Sequence, residues 1–351
     1  MKSYQLVTPK EPLELVETET PEPQGSEVLL RIKACGVCHS DIHIWQGGND
    51  MGGGKWLSIQ DRGMTLPMVM GHEPLGEVVA LGPDATGVEV GETRLVFPWI
   101  GCGQCARCAE GAENDCVKMR TTGVFAPGGY ADHIMVPDAK YLLDISGIDP
   151  WYACTLACAG ITSYSALKKV HPLSADDKVV IIGAGGVGLT GIGIARKYLP
   201  DHEIIVVDLD DEKLAHARQS GADHTINPKD EDALARIREL TGTGAGAIVD
   251  FVASGQTMKL GFDATRKGGR YVGVGLYGGE ITIPTVMLPA RNLTMRGSYV
   301  GRLDEMHELL DLVRGGGVTP IPVATRPMSR VTETLQDLAD GKIVGRVVVI
   351  P

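Results

Sequence analysis

Lys178–Arg196 reads KVVIIGAGGVGLTGIGIAR. The run Lys178–Ile182 is apolar without alternation, as a strand buried on both faces of a parallel sheet requires. Gly183-Ala184-Gly185-Gly186-Val187-Gly188 then fits G-x-G-x-x-G at Gly183, Gly185 and Gly188. A helix to about Tyr198 follows. A bare match to this pattern is weak, but strand, glycine turn and helix together form the context that a pyrophosphate site needs. The first glycine makes the tight turn, the second lets the backbone approach the phosphates, and the third lets helix and strand pack closely. The helix N-terminus adds free N–H groups and partial positive charge. A membrane helix is the competing reading. The stretch is short for a span, and its glycines fall at patterned positions.

Working outward, strands and helices alternate. Glu203–Val207 is followed by a helix at Asp211–Ser220 and a short strand near His224–Asn227. A helix at Asp230–Leu240 leads to Ala247–Val252, a helix near Gln256–Arg266 to Gly269–Gly275, and a last strand sits near Leu293–Arg296. Six strands with helical crossovers predict a doubly wound α/β sheet. Asp208 ends the second strand, where a carboxylate accepts hydrogen bonds from the adenosine ribose hydroxyls. With Asp210, Asp211 and Glu212 behind it, a 2′-phosphate would be repelled, which predicts NAD over NADP. The competing role for Asp208 is a helix cap.

The first 150 residues differ. Short β-runs, such as Val28–Ile32, Gly76–Ala80 and Tyr130–Val136, are split by Gly and Pro. Within them lies GCGQCARCAEGAENDC, which places Cys102, Cys105, Cys108 and Cys116 in the spacing C-x2-C-x2-C-x7-C. Four thiolates so spaced close a tetrahedron around one zinc ion and leave no position for substrate, so this metal would hold structure. Disulfides are the alternative, but they belong to small secreted chains. The net charge of −11 argues against nucleic acid or an anionic membrane as partner. Aromatic residues are 5% of the chain, too few for a base-stacking platform. The start, MKSYQLVTPKEPLELVE, has no apolar leader segment, which predicts a cytoplasmic protein. At 351 residues the chain is expected to form two domains.

Cys38-His39-Ser40-Asp41-Ile42-His43, Gly71-His72-Glu73 and Leu156-Ala157-Cys158-Ala159-Gly160 complete the pattern. With the cysteine run and GAGGVG, these residues resemble the zinc-dependent alcohol dehydrogenases of the medium-chain dehydrogenase/reductase superfamily. The likeness spans essentially the whole chain and is greatest to the tetrameric bacterial and archaeal branch. It implies a Rossmann sheet at 158–297. It also implies a mainly β, GroES-like catalytic domain at 1–157 and 298–351, with a structural zinc lobe at about 98–117. Two zinc ions per subunit, NAD and a homotetramer follow from it. Cys38, His72 and Cys158 match the catalytic zinc ligands. Glu73 matches an acid beside the metal that ligates transiently, and Asp41 a partner orienting His72. Ser40 would take the alcohol proton and pass it through the NAD ribose to His43 and solvent. His39 would contact the pyrophosphate, Lys213 the adenosine ribose beside Asp208, and Thr162 would lie near the nicotinamide. Trp99 matches a position lining the substrate pocket, though core packing explains it as well. The segment 47–66, GGNDMGGGKWLSIQDRGMTL, is longer than in many relatives. It reads as a lid, a pocket wall or an oligomer contact.

The chemistry is coherent. Free alcohols are too weakly acidic at neutral pH to lose a proton as the carbon gives up hydride, and zinc supplies the missing acidity. Two thiolates and one imidazole make an open three-ligand site. An imidazole with its usual pKa suits the solvent end of a proton relay. The expected activity is therefore reversible hydride transfer between a primary or secondary alcohol and NAD+, giving an aldehyde or ketone. Two alternatives stand beside it. One is a dehydrogenase of polyols or other specialised hydroxy substrates on the same scaffold. The other, from a different class, is a non-catalytic NAD-binding redox sensor.

Overall fold

The computed structural model describes residues 1–351. The strand Val179–Ile182 shows why its sequence is uniformly apolar. Val179 and Ile181 enter one hydrophobic core, Val180 and Ile182 another, and none is more than 2% exposed. Alternate residues thus pack helices on opposite faces of one sheet. That sheet has six parallel strands. Their spatial order is His224–Ile226, Ile204–Val207, Val179–Ile182, Ala245–Asp250, Thr265–Gly273, Thr294–Gly297. The order reverses beside Val179–Ile182, so a crevice opens above its carboxyl end, where the glycine turn leaves.

Element boundaries follow local chemistry. Asp210 caps the helix Asp211–Ser220 by accepting from the Glu212 and Lys213 amides, and Gly221, with φ of 117°, ends it. The helix expected from Asp230 begins at Ala233 because Asp232 is its cap and accepts from the Ala235 amide. The strand expected at Gly269 begins at Thr265, its register shifting against the neighbouring strand between Ala245 and Ala247.

The other half is built on a seven-stranded sheet. Its central strand Val28–Val37 pairs antiparallel with Pro74–Leu81 on one side and with the last strand, Arg346–Ile350, on the other. The chain end therefore closes onto the sheet begun at residue 28, with Val347 opposite Val37 and Val349 opposite Cys35. One core runs continuously through both halves. It includes the buried helical run Pro150–Lys168, interrupted by a π-helical turn at Leu156–Gly160. Such turns are frequent at functional sites, and this one carries Cys158. The segment 47–66 contains an antiparallel hairpin, Gly48–Gly52 with Lys55–Ser58.

Candidate metal and dinucleotide site

Cys38 caps the helix His39–Trp45, His72 and Glu73 precede the strand Pro74–Leu81, and Cys158 sits on the π-helical turn. These elements bring one donor atom each from Cys38, His72, Glu73 and Cys158 within 4.8 Å of one another. The Cys38 and Cys158 sulfurs are 3.7 Å apart. Bonds of about 2.3 Å to a tetrahedral ion would set sulfurs about 3.8 Å apart, so the spacing fits zinc. His72 donates from Nδ1 to Asp41 Oδ1 at 3.0 Å, which leaves Nε2 buried without a protein partner. A buried ring nitrogen left free in this way is able to ligate a metal. The Asp41 carboxylate is held in turn, its Oδ2 accepting from the Cys38 amide and the Tyr130 hydroxyl, each at 2.9 Å.

The titratable groups respond to this crowding. The Cys158 thiol, His72 and Arg346 favour the Cys38 thiolate, and they hold its pKa well below the usual thiol value against desolvation. Burial works against a charged His72, but the Asp41 carboxylate outweighs it and raises the ring pKa. Burial pushes Glu73 up to about 7 although Arg346 pulls the other way. Arg346 was not legible as a site residue. Its Nη2 donates to both Glu73 oxygens, at 2.6 Å to Oε1, and to the Val37 carbonyl at 3.2 Å. A charge inside the apolar run GRVVVI was the available signal. Gly36 makes room for this pair, since a Cβ there would fall 1.8 Å from Glu73 Oε2.

Trp99 lies against the site, its ring 5.6 Å from that of His72, and its indole N–H donates to the Ala157 carbonyl at 2.8 Å. Tyr299, which the sequence reading passed over, packs edge-on against Trp99 at 6.0 Å. Ser40 and His43 lie one turn apart on the helix after Cys38, and the His39 and His43 rings are 5.3 Å apart. Thr162 is buried, and its hydroxyl has no partner.

In the second cluster the sulfur separations are 3.5 Å for Cys105–Cys108, 3.7 Å for Cys105–Cys116 and 4.0 Å for Cys102–Cys108. These fit the edges of a zinc tetrahedron and are far from the S–S bond length of about 2.0 Å in a disulfide. The Gln104 amide donates to Cys102 Sγ and holds its pKa down at about 6.

At the nucleotide turn, Gly183 has φ of 94°. A Cβ on Gly188 would sit 1.9 Å from the Gly183 carbonyl oxygen, so only glycine allows this contact. A Cβ on Gly185 would meet no protein atom within 4 Å, which leaves the cradle above the helix N-terminus open for a pyrophosphate. Asp208 accepts from the Ala184 amide at 2.6 Å and the Asp210 amide at 3.0 Å. It thereby ties the end of the second strand to the glycine turn. The Lys213 ammonium lies 4.0 Å from Asp210.

Residues 24–146 match the alcohol dehydrogenase GroES-like domain, and residues 186–315 the zinc-binding dehydrogenase family. The chain is 35% identical to an NAD-dependent alcohol dehydrogenase of Sulfurisphaera tokodaii over the full length of both. It is also 35% identical to an alcohol dehydrogenase of Geobacillus stearothermophilus, over 97% of this chain and 96% of that one. The crystal structure of the alcohol dehydrogenase from Aeropyrum pernix superposes over both entire chains with a TM-score of 0.90 at 30% identity. The chain belongs to the zinc-dependent medium-chain alcohol dehydrogenases. It is an NAD-dependent oxidoreductase acting on alcohols, with zinc and NAD as its cofactors.

Proposed function

We propose that Cys38, His72 and Cys158 hold the catalytic zinc and that Cys102, Cys105, Cys108 and Cys116 hold the structural one. The carrying observation is the convergence of donor atoms from Cys38, His72, Glu73 and Cys158 beside an open glycine cradle. Zinc bound by the first set would supply Lewis acidity, lowering the pKa of a substrate hydroxyl so that hydride could leave its carbon for NAD+.

The chain's own residues do the rest. Asp41 fixes the His72 ring and its tautomer. Glu73, held by Arg346, would be the acid beside that metal. Ser40 accepts the hydroxyl proton, and His43, one helical turn on, releases it to solvent. Gly183, Gly185, Gly186, Val187 and Gly188 seat the pyrophosphate with His39. Asp208 and Lys213 hold the adenosine ribose, and Thr162 borders the nicotinamide. Trp99, buried against the His72 ring, excludes water from that side of the reacting centre. We assign residues 1–157 and 298–351 to the catalytic domain and 158–297 to the nucleotide domain.

We read the chain as a cytoplasmic homotetramer. Tyr277 and Val286 are exposed, and Thr294–Gly297 ends its sheet with one edge unpaired; exposed apolar side chains and a free edge favour self-association. Light scattering gives the oligomeric state.

Metal analysis followed by an alcohol panel with NAD and NADP tests the whole reading. Turnover should follow bound zinc, prefer NAD and disappear in Cys38→Ser while NAD binding persists. Turnover surviving in Cys38→Ser would overturn the metal assignment.

A further inference from the structure

The hairpin in segment 47–66 leans across onto the nucleotide-binding half. A Cβ on Gly278 would fall 2.2 Å from the Asp50 carbonyl oxygen, and one on Gly52 would fall 2.6 Å from Glu280 Cγ. Between hairpin and sheet lies a cavity of about 560 Å³, lined by Arg62 and Leu57 on one side and by Leu276, Arg296 and Tyr299 on the other. Of the rings near the metal donors only Tyr299 lines it; the Tyr299 ring is 6.0 Å from that of Trp99, which is 5.6 Å from that of His72. The Arg62 guanidinium lies near enough to Tyr299 and His43 for its charge to reach both.

Arg62 is half-buried and has no carboxylate within ion-pair distance. The one hydrogen bond of its side chain runs from Nη1 to Asn49 Oδ1 at 3.2 Å. Asp50, the one acidic side chain on the lining, is exposed and accepts from the Gly52 amide of its own hairpin at 2.8 Å. Two guanidiniums and one carboxylate therefore give this wall a positive balance in a chain of net charge −11. A guanidinium presents a planar fork that matches a carboxylate, and a half-buried one gains more from such a partner than a solvated one does.

We propose that Arg62 determines substrate specificity, and that the preferred substrates are small alcohols bearing a carboxylate, which seats on Arg62 while the hydroxyl reaches the metal ligands past Tyr299. This rests on the alcohol dehydrogenase reading above and names the substrate class for that site.

The test compares ω-hydroxycarboxylates of three to six carbons with their methyl esters, using zinc-loaded protein and NAD+. The wild type should favour the acid over its ester at one spacer length. In Arg62→Met the acid-to-ester ratio of kcat/KM should fall about ten- to a hundredfold, mainly through KM of the acid, and Arg62→Lys should recover part of it. A wild type that favours the ester at every length, or a ratio unmoved in Arg62→Met, overturns the proposal. Calorimetry of 4-hydroxybutanoate on NAD-loaded protein separates this from failure of the activity itself. Binding that Arg62→Met abolishes supports the site even if no alcohol is turned over, and absence of binding in the wild type defeats it. If Arg62→Met does not fold, Arg62→Gln is read in the same two assays.

Discussion

Arg346, from the last strand, and Glu73, 273 residues earlier, form a fully enclosed ion pair beside the Cys38, His72 and Cys158 donors. The Glu73 side chain is 0% exposed and that of Arg346 5%. Removing one member of such a pair strands the other charge in a poorly solvated place, at a cost of about 3–5 kcal/mol. Arg346→Met should therefore lower the denaturant midpoint sharply. Glu73→Gln combined with Arg346→Met should be less destabilised than Arg346→Met alone. Chemical denaturation of the three proteins checks this. Equal loss in the single and double variants would mean that packing, rather than the orphaned carboxylate, dominates.

Asp41 gathers three donors: His72, the Cys38 amide and the Tyr130 hydroxyl. Asp41→Asn keeps the shape but withdraws the charge that steadies the His72 ring. Such partners typically contribute about 10–100-fold in metal affinity. Competition with a chromophoric chelator should show that loss at one of two zinc ions and leave the other unaffected. Tyr130→Phe, which removes one donor and no charge, should fall between the wild type and Asp41→Asn.

The cysteine lobe makes a separate prediction, since a four-ligand site has no place for substrate. Cys105→Ser should reduce zinc from two ions to one per subunit and lower the thermal midpoint. The protein that remains folded should keep its kcat. Metal content, calorimetry and active-site titration on one preparation separate these effects. A kcat that falls in step with zinc would assign this lobe a catalytic part.

His43 is drawn down to about 4 from the ordinary 6.5, first by burial and next by the charge of His39. In the unfolded chain the ring protonates near 6.5, so between 6.5 and 4 the unfolded state binds more protons. Stability contributed by the neutral ring is present above pH 6.5 and is lost as pH falls toward 4. Between pH 7 and pH 5 the loss is about 1–2 kcal/mol, allowing for the ring's partial exposure. Urea unfolding at both values should show a smaller pH dependence in His43→Gln. The same shift keeps His43 neutral throughout pH 5–8 and makes it a weaker proton acceptor than the imidazole of ordinary pKa that the sequence predicts at the end of the relay. NMR titration of its ring should accordingly give a midpoint near 4, and one near 6.5 would remove the basis for this prediction.

What the sequence determined by itself was whatever depends on local spacing and period. Val179–Ile182 with Gly183, Gly185 and Gly188 defined a parallel strand, turn and helix. Four cysteines in C-x2-C-x2-C-x7-C defined a closed metal lobe, because neighbours in the chain stay neighbours in any fold. Cys38, His72 and Cys158 are spread along the chain and became a set through likeness to a family. What only the tertiary structure decided was their convergence and everything reached by distant pairing. Arg346 meets Glu73 because the last strand pairs with Val28–Val37, Tyr130 reaches Asp41 across 89 residues, and Tyr299 meets Trp99 at the cleft. The segment 47–66 could be marked as unusual from its sequence, but its hairpin and the cavity under it depend on the opposing loop 275–280. A one-dimensional pattern records period and proximity along the chain, whereas the partner of a buried charge is fixed by which strands pair.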